Sequence, residues 1–135
     1  MTQVGIDTNI LLRMVLNDDP QQRAKALQFG NGLTPESPGY ISLIVLVEFN
    51  WSLVSRYRQP RKQVLAAIHR LIRTRSLVFE SHNAVVRALE RSNNNAGIDF
   101  VDALIAEHNR EQGCSHTVTF DRAAASRIPA MELLT

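Results

Sequence analysis

Short aliphatic runs alternate along the chain with stretches whose apolar residues recur at helical spacing, the pattern of an α/β protein. Gln3 to Ile6 is compatible with a first strand, and Asp7-Thr8-Asn9 then offers capping side chains to a helix through Ile10 to Leu16. Pro20, which has no N–H to leave unpaired, suits the first position of a second helix opened by Asn17-Asp18-Asp19 and closed near Gly30 and Gly32. Thr34 to Gly39, with Pro35 and Pro38, reads as a loop into a short strand at Tyr40 to Ser42, and Ser42 is placed to cap the helix that carries Glu48. After a break at Gln59-Pro60, Val64, Leu65, Ile68, Leu71 and Ile72 recur at helical spacing, so this pair reads as a helical hairpin inserted between strands.

Leu77-Val78-Phe79 is a third strand, followed by a helix from about Ala84 to Ser92 and a polar turn at Asn93-Asn94-Asn95. Asp99 caps the clearest helix, Phe100 to Gln112, which stops at Gly113. Thr117 to Phe120 is a fourth strand ending at Asp121, and Met131 to Leu134 adds a fifth. There is no repeat, low-complexity tract or linker, so residues 1–135 are expected to form one domain.

Four carboxylates stand where apolar runs meet turn-prone or capping residues: Asp7 in VGIDTN, Glu48 in LIVLVEFNW, Asp102 in GIDFVDALIA and Asp121 in HTVTFDR. Asp7 and Asp121 would crown neighbouring parallel strands, where open α/β sheets bind ligands. Convergent carboxylates raise one another's pKa and destabilise the fold unless something positive intervenes, and a divalent cation is the natural counter-charge. Magnesium or manganese, which prefer hard oxygen ligands and leave room for substrate phosphate, fits that inventory. Water activated by such a cation cuts a phosphodiester without any protein nucleophile. Thr8 and Asn9 would present short polar groups at the same rim.

Composition changes the picture in only a few places. With 44% hydrophobic, 21% charged and 6% aromatic residues, the chain is expected to fold around an aliphatic core. The formal charge of +2 does not identify a nucleic-acid binder. Its distribution says more: Arg56, Arg58, Arg61, Lys62, Arg70, Arg73 and Arg75 fall in one segment without an acid. Within it Arg56, Arg58, Arg61 and Lys62 are candidates for gripping an RNA backbone outside the acidic pocket. Cys114 has no cysteine to pair with and is expected to be a small buried residue. Trp51 is expected in the core, and His69, His82, His108 and His116, which lack metal-pair spacing, at the surface or rim. The longest aliphatic run, Leu43 to Val47, is too short to cross a bilayer and no leader pattern precedes the first strand, so a cytoplasmic protein is expected.

Each acid also has an ordinary structural reading. Asp7 and Asp121 suit N-caps, and Asp102 lies three residues after Asp99 in a near capping-box arrangement. Glu48 projects onto a polar stripe with Ser52, Ser55 and Arg56. Asp102 shares a helix face with Ala106 and Asn109, whose small side chains would suit a pocket wall.

Taken in order, DTNILLR at Asp7 to Arg13, VEFNW at Val47 to Trp51, DFVDALIA at Asp99 to Ala106 and TFDR at Thr119 to Arg122 resemble the PIN-domain nucleases, and among them the VapC-type toxins of bacterial toxin–antitoxin pairs. The likeness covers almost the whole chain. It implies a three-layer α/β/α fold with a central, mainly parallel sheet. It also implies Mg2+- or Mn2+-dependent cleavage of RNA, with tRNA among the candidate substrates, a homodimer, and inhibition by a cognate antitoxin that places a basic side chain in or near the acidic pocket. By motif, Asp7, Glu48 and Asp102 would be the core metal-binding acids and Asp121 the fourth. Thr8, Asn9 and Thr119 would be supporting polar residues, as would Asp99, whose place in the motif also suits a cap. A housekeeping RNA-processing nuclease of the same fold would carry the same acids, and the sequence does not separate it from a toxin. A non-catalytic RNA-binding scaffold would instead use the basic hairpin and leave the acids as caps. A phosphoacceptor domain would need a lysine after a late strand, whereas the only lysines are Lys25 and Lys62.

Overall fold

The computed structural model describes residues 2–135 and divides into two compact units, one ending at Glu80 and the other running from Ser81 to Thr135. In the N-terminal unit, three short strands form a parallel sheet in the order β1 (Val4–Gly5), β2 (Gly39–Ile41), β3 (Leu77–Phe79). Val4 pairs with Gly39 and Gly5 with Tyr40, while Ile41 pairs with Phe79. The ladder continues one residue past β1, where Ile6 N–H donates to the Tyr40 carbonyl at 3.0 Å, and Glu80 N–H donates to the Ile41 carbonyl at the end of β3. Asp7, Ser42 and Glu80 are therefore the residues that leave the carboxyl edge of three adjacent parallel strands.

Parallel strands need crossovers, and here helices supply them. Between β1 and β2 lie α1 (Thr8–Val15) and α2 (Pro20–Asn31); α2 begins with Asp19 capping Gln22 N–H and Pro20 in the first turn. Arg23 then closes the other end of α1, its Nη1 donating to the Met14 and Leu16 carbonyls at 3.0 and 3.1 Å. Between β2 and β3 run α3 (Leu43–Trp51), a π-helical turn (Ser52–Arg56) and α4 (Arg61–Ile72), the hairpin read from the sequence. The π-helical turn takes up Ser52 and Leu53 as buried residues and so removes Ser52 from the polar stripe expected around Glu48.

The C-terminal unit holds α5 (His82–Asn94), α6 (Phe100–Glu111), β4 (Thr117–Thr119), α7 (Arg122–Arg127) and β5 (Met131–Leu133). β4 and β5 pair in parallel, Thr117 with Met131 and Thr119 with Leu133. α5 extends through Asn94 where a turn was expected, so only Asn95 leaves the helix. The unit is tied together by Glu107, 3% exposed, whose carboxylate lies 3.2 Å from Arg87 Nε, 3.6 Å from Arg91 Nε and 3.8 Å from Arg110. Three guanidiniums around one buried carboxylate offset the cost of taking that charge out of water.

The core is aliphatic as expected, with Leu11, Leu12, Ile41, Leu46, Phe49 and Ile68 buried in the first unit and Val85, Ala88, Ala103 and Leu104 in the second. Two expectations are corrected. Trp51 is 60% exposed rather than in the core, because apolar residues stand on every side of α3 with only Glu48 and Asn50 polar, and the helix buries only Leu46 and Phe49, so periodicity does not single out its inner face. Cys114 is exposed, since it follows the left-handed Gly113 in the connection between α6 and β4 and not an apolar position of either.

Gly39 shows how closely the first sheet is packed. A Cβ at this position would lie 2.4 Å from Ile6 Cδ1, 3.0 Å from Leu33 Cδ1 and 3.1 Å from Leu77 Cδ2. Three side-chain ends must move together, and overpacking of this kind costs about 1–3 kcal/mol. Gly39→Ala is expected to lower unfolding stability by about that amount in a urea titration, with an unchanged slope.

Candidate functional site

In the N-terminal unit the chain leaves β1 at Asp7, and the Asp7 carboxylate accepts the Thr8 N–H at 2.8 Å as α1 begins. Thr8 itself is buried, and its hydroxyl donates to Glu48 Oε1 at 2.6 Å. Glu48 is brought there by α3, whose start is fixed twice. Ser42 Oγ accepts Val45 N–H at 3.3 Å, and Glu80 Oε1, at the end of β3, accepts Leu43 N–H at 2.8 Å. Asp7 and Glu48 are both exposed, and Asn9 is exposed in the first turn of α1.

The C-terminal unit gathers a second acidic group. Asp99 caps α6 by accepting the Asp102 N–H at 3.0 Å, and Asp121 caps α7 by accepting the Ala124 N–H at 3.0 Å. Thr119, the last residue of β4, accepts the Asp121 N–H on its hydroxyl at 3.0 Å and so orients the turn into α7. Among the described residues Asp102 caps no helix. Its carboxyl is held above the ordinary value of 3.8, first by burial and then by the charges of Asp99 and Asp121. Asn109, on the same helix face, donates to Thr117 Oγ1 at 3.1 Å and so ties α6 to β4.

The capping readings of Asp7, Asp99 and Asp121 are thus real features of the fold. A cap does not exhaust a carboxylate, which has about four lone-pair positions and gives up one. Within its own unit, and among the described residues, none of Asp7, Glu48, Asp99, Asp102 and Asp121 has a basic ion-pair partner, in contrast to Glu107. Within neither unit do three described His, Cys, Asp or Glu side chains form a group able to hold a metal ion by themselves. A divalent cation that keeps several waters needs only one or two carboxylates plus substrate phosphate.

A comparison with protein families matches the PIN domain over residues 4–130, a span that includes all four acid motifs. The chain belongs to the PIN domain family. With that family come an α/β fold with parallel strands, as found here, and nuclease activity, with a divalent metal the typical cofactor. No curated protein matches the chain. Among the described residues no helix is long and apolar enough to cross a membrane.

The basic segment is distributed along exposed connections. Arg56 ends the π-helical turn, its guanidinium 5.7 Å from the Tyr57 ring centroid; Arg58 has φ +50 in the following loop; Arg61 and Lys62 begin α4. The histidines lie at the surface or rim as expected, with His69, His82 and His116 exposed and His108 half-buried against the Ser81 hydroxyl at 2.8 Å. Sequence reading missed Glu80 as the second support of α3, because a cap reaching across 37 positions leaves no local pattern. It also missed the Glu107 cluster, for which the four-residue spacing of Arg87 and Arg91 on one helix face was an available signal.

Because burial and like charges raise the Asp102 pKa, its contribution favours the folded state at low pH. That contribution is lost as pH rises from the ordinary value of 3.8 through the higher folded value. Asp102→Asn should therefore leave metal-free stability at neutral pH unchanged or higher by a few tenths of a kcal/mol. Asp99→Ala, which removes a cap, should lower it by about 1 kcal/mol. Thermal unfolding in EDTA distinguishes the two; a large loss from Asp102→Asn would mean that its carboxylate has a structural partner.

Proposed function

We propose that the chain is a Mg2+- or Mn2+-dependent endoribonuclease that acts as the toxin of a VapC-type toxin–antitoxin pair, with residues 1–135 as one nuclease domain. The observation that carries the reading is the unbroken PIN-domain match across both units, including Asp7, Glu48, Asp102 and Asp121. Those four are the metal-holding acids in this reading, and Asp99 is a supporting polar residue. When bound, the cation supplies Lewis acidity and makes a water nucleophilic at neutral pH.

The chain's own residues have separable tasks. Thr8 holds one oxygen of Glu48 through the 2.6 Å hydrogen bond, which fixes a long side chain that would otherwise sample many rotamers. Asp102 keeps a carboxylate in a half-buried site where a cation is worth more than in open water. Asn9 and Thr119 provide polar groups at the start of α1 and the end of β4. Arg56, Arg58, Arg61 and Lys62 contact substrate phosphates, RNA of the tRNA type being the substrate class, and these contacts make binding salt-dependent. A cognate antitoxin inhibits by bringing a basic side chain to the acids, and the active form is a cytoplasmic homodimer.

Asp7→Asn tests the reading with little risk to the fold, because Asn is as good an N-cap as Asp. RNA cleavage in Mn2+ should fall to the level measured in EDTA, expression of the variant should no longer arrest growth, and the unfolding midpoint should stay close to that of the parent. A variant that cuts at the parental rate, or parental activity that survives EDTA, would remove the metal-dependent mechanism.

A further inference from the structure

We propose that a groove on the N-terminal unit, bounded by α1, α2 and the π-helical turn, binds a nucleotide of single-stranded RNA by its phosphate and its base. The groove has a volume of about 600 Å3, and Asn9, Arg13, Gln22, Lys25, Phe29 and Arg56 line it without any acidic side chain. That volume lies in the range of sites that enclose small ligands. Identifying the ligand as RNA rests on the nuclease reading, and the groove begins at Asn9, two residues from Asp7.

Three features point to a nucleotide. The first is charge: Lys25 and Arg56 are exposed cations, and Arg56 is steadied over the Tyr57 ring. Arg13 is a fixed third cation. Its Nη2 donates to the Tyr57 hydroxyl at 3.2 Å and its Nη1 to Asp18; these two hydrogen bonds, with Tyr57 the larger influence, hold its pKa above even the usual arginine value. Asp18 offsets much of that charge, so Lys25 and Arg56 are the phosphate-contacting pair.

The second feature is the exposed face of α2. That helix buries only Ala26 and leaves Leu27 and Phe29 exposed, so the Phe29 ring is available at the groove wall. Unpaired bases stack on such rings, and cations beside an aromatic face are the usual means of holding single strands. The third is the pair of amides, Asn9 and Gln22, which offer both donors and acceptors to a base edge. An acidic peptide would be attracted by the same cations but would bring no flat base to stack on the Phe29 ring.

Binding of a short fluorescein-labelled oligouridylate is measured by anisotropy in EDTA, so that no cation bridges protein and RNA, over about 50 to 200 mM salt. The doubly substituted Lys25→Ala, Arg56→Ala protein is expected to bind more weakly, with the slope of log affinity against log salt reduced by about 1.4, or 0.7 for each lost single-strand phosphate contact. Phe29→Ala is expected to weaken binding by roughly tenfold with little change of slope. Unchanged affinity and slope in both variants overturn the groove. So does an oligoglutamate peptide that binds more tightly than RNA and loses that binding in the double variant. Parallel cleavage assays in Mn2+ separate the two readings. RNA held through these residues by a protein that does not cleave leaves the groove standing and removes the nuclease reading, whereas cleavage with parental affinity in both variants does the reverse.

Discussion

The need of a helix start for oxygen acceptors is the constraint on which the placement of Asp7, Asp99 and Asp121 depends. The first N–H groups of every helix lack partners within it. Here Asp7 meets that need for α1, Ser42 and Glu80 for α3, Asp99 for α6 and Asp121 for α7. Three of these residues leave the carboxyl edge of the parallel β1–β2–β3 sheet, and Asp121 follows β4. Capping and cation binding are therefore not rival explanations of one carboxylate. The cap fixes where the group stands and leaves most of its lone pairs available.

The treatment of charge separates structural acids from candidate chemical ones. Glu107 is buried and surrounded by Arg87, Arg91 and Arg110, while Asp18 is matched to Arg13. Asp102 is also drawn partly out of water, yet its charged neighbours within the unit are Asp99 and Asp121, which make its ionisation harder. Like charges without a counter-ion are costly to keep together. Asp102 thus stands half-buried among like charges of its own unit, the opposite of the arrangement around Glu107.

Much of this was legible in the sequence because it depends on local chemistry. The strands at Gln3–Ile6 and Leu77–Phe79, the Asp19-Pro20 start of α2, the Ser42 cap and the Asp99-capped helix all rest on signals confined to a few residues. The resemblance carried by DTNILLR, VEFNW, DFVDALIA and TFDR likewise anticipated the PIN family match. What was not legible depends on partners distant in sequence. Trp51 is exposed where burial was expected because a helix with apolar residues on every side has no periodic inner face, and Cys114 because the geometry after Gly113, and not its own character, decides its exposure. Glu80 could not be found, since its target is Leu43 N–H. The sites of Arg56 and Lys25 on one groove depend on packing between α1, α2 and the π-helical turn, which composition does not encode.

The Thr8–Glu48 contact shows how the two acids of the first unit become linked. Glu48 must reach out from a helix whose neighbouring positions, Leu46 and Phe49, are committed to the core. A glutamate has the length for that but loses about 1–2 kcal/mol of rotamer freedom when held in one place. A buried hydroxyl one residue after Asp7, donating at 2.6 Å, offsets that loss, since hydrogen bonds to a charged group contribute about 1.5–3 kcal/mol. The residue that starts α1 therefore also orders the acid on α3. This is a physical reason for the threonine of the DTN triplet, beyond its place in a motif.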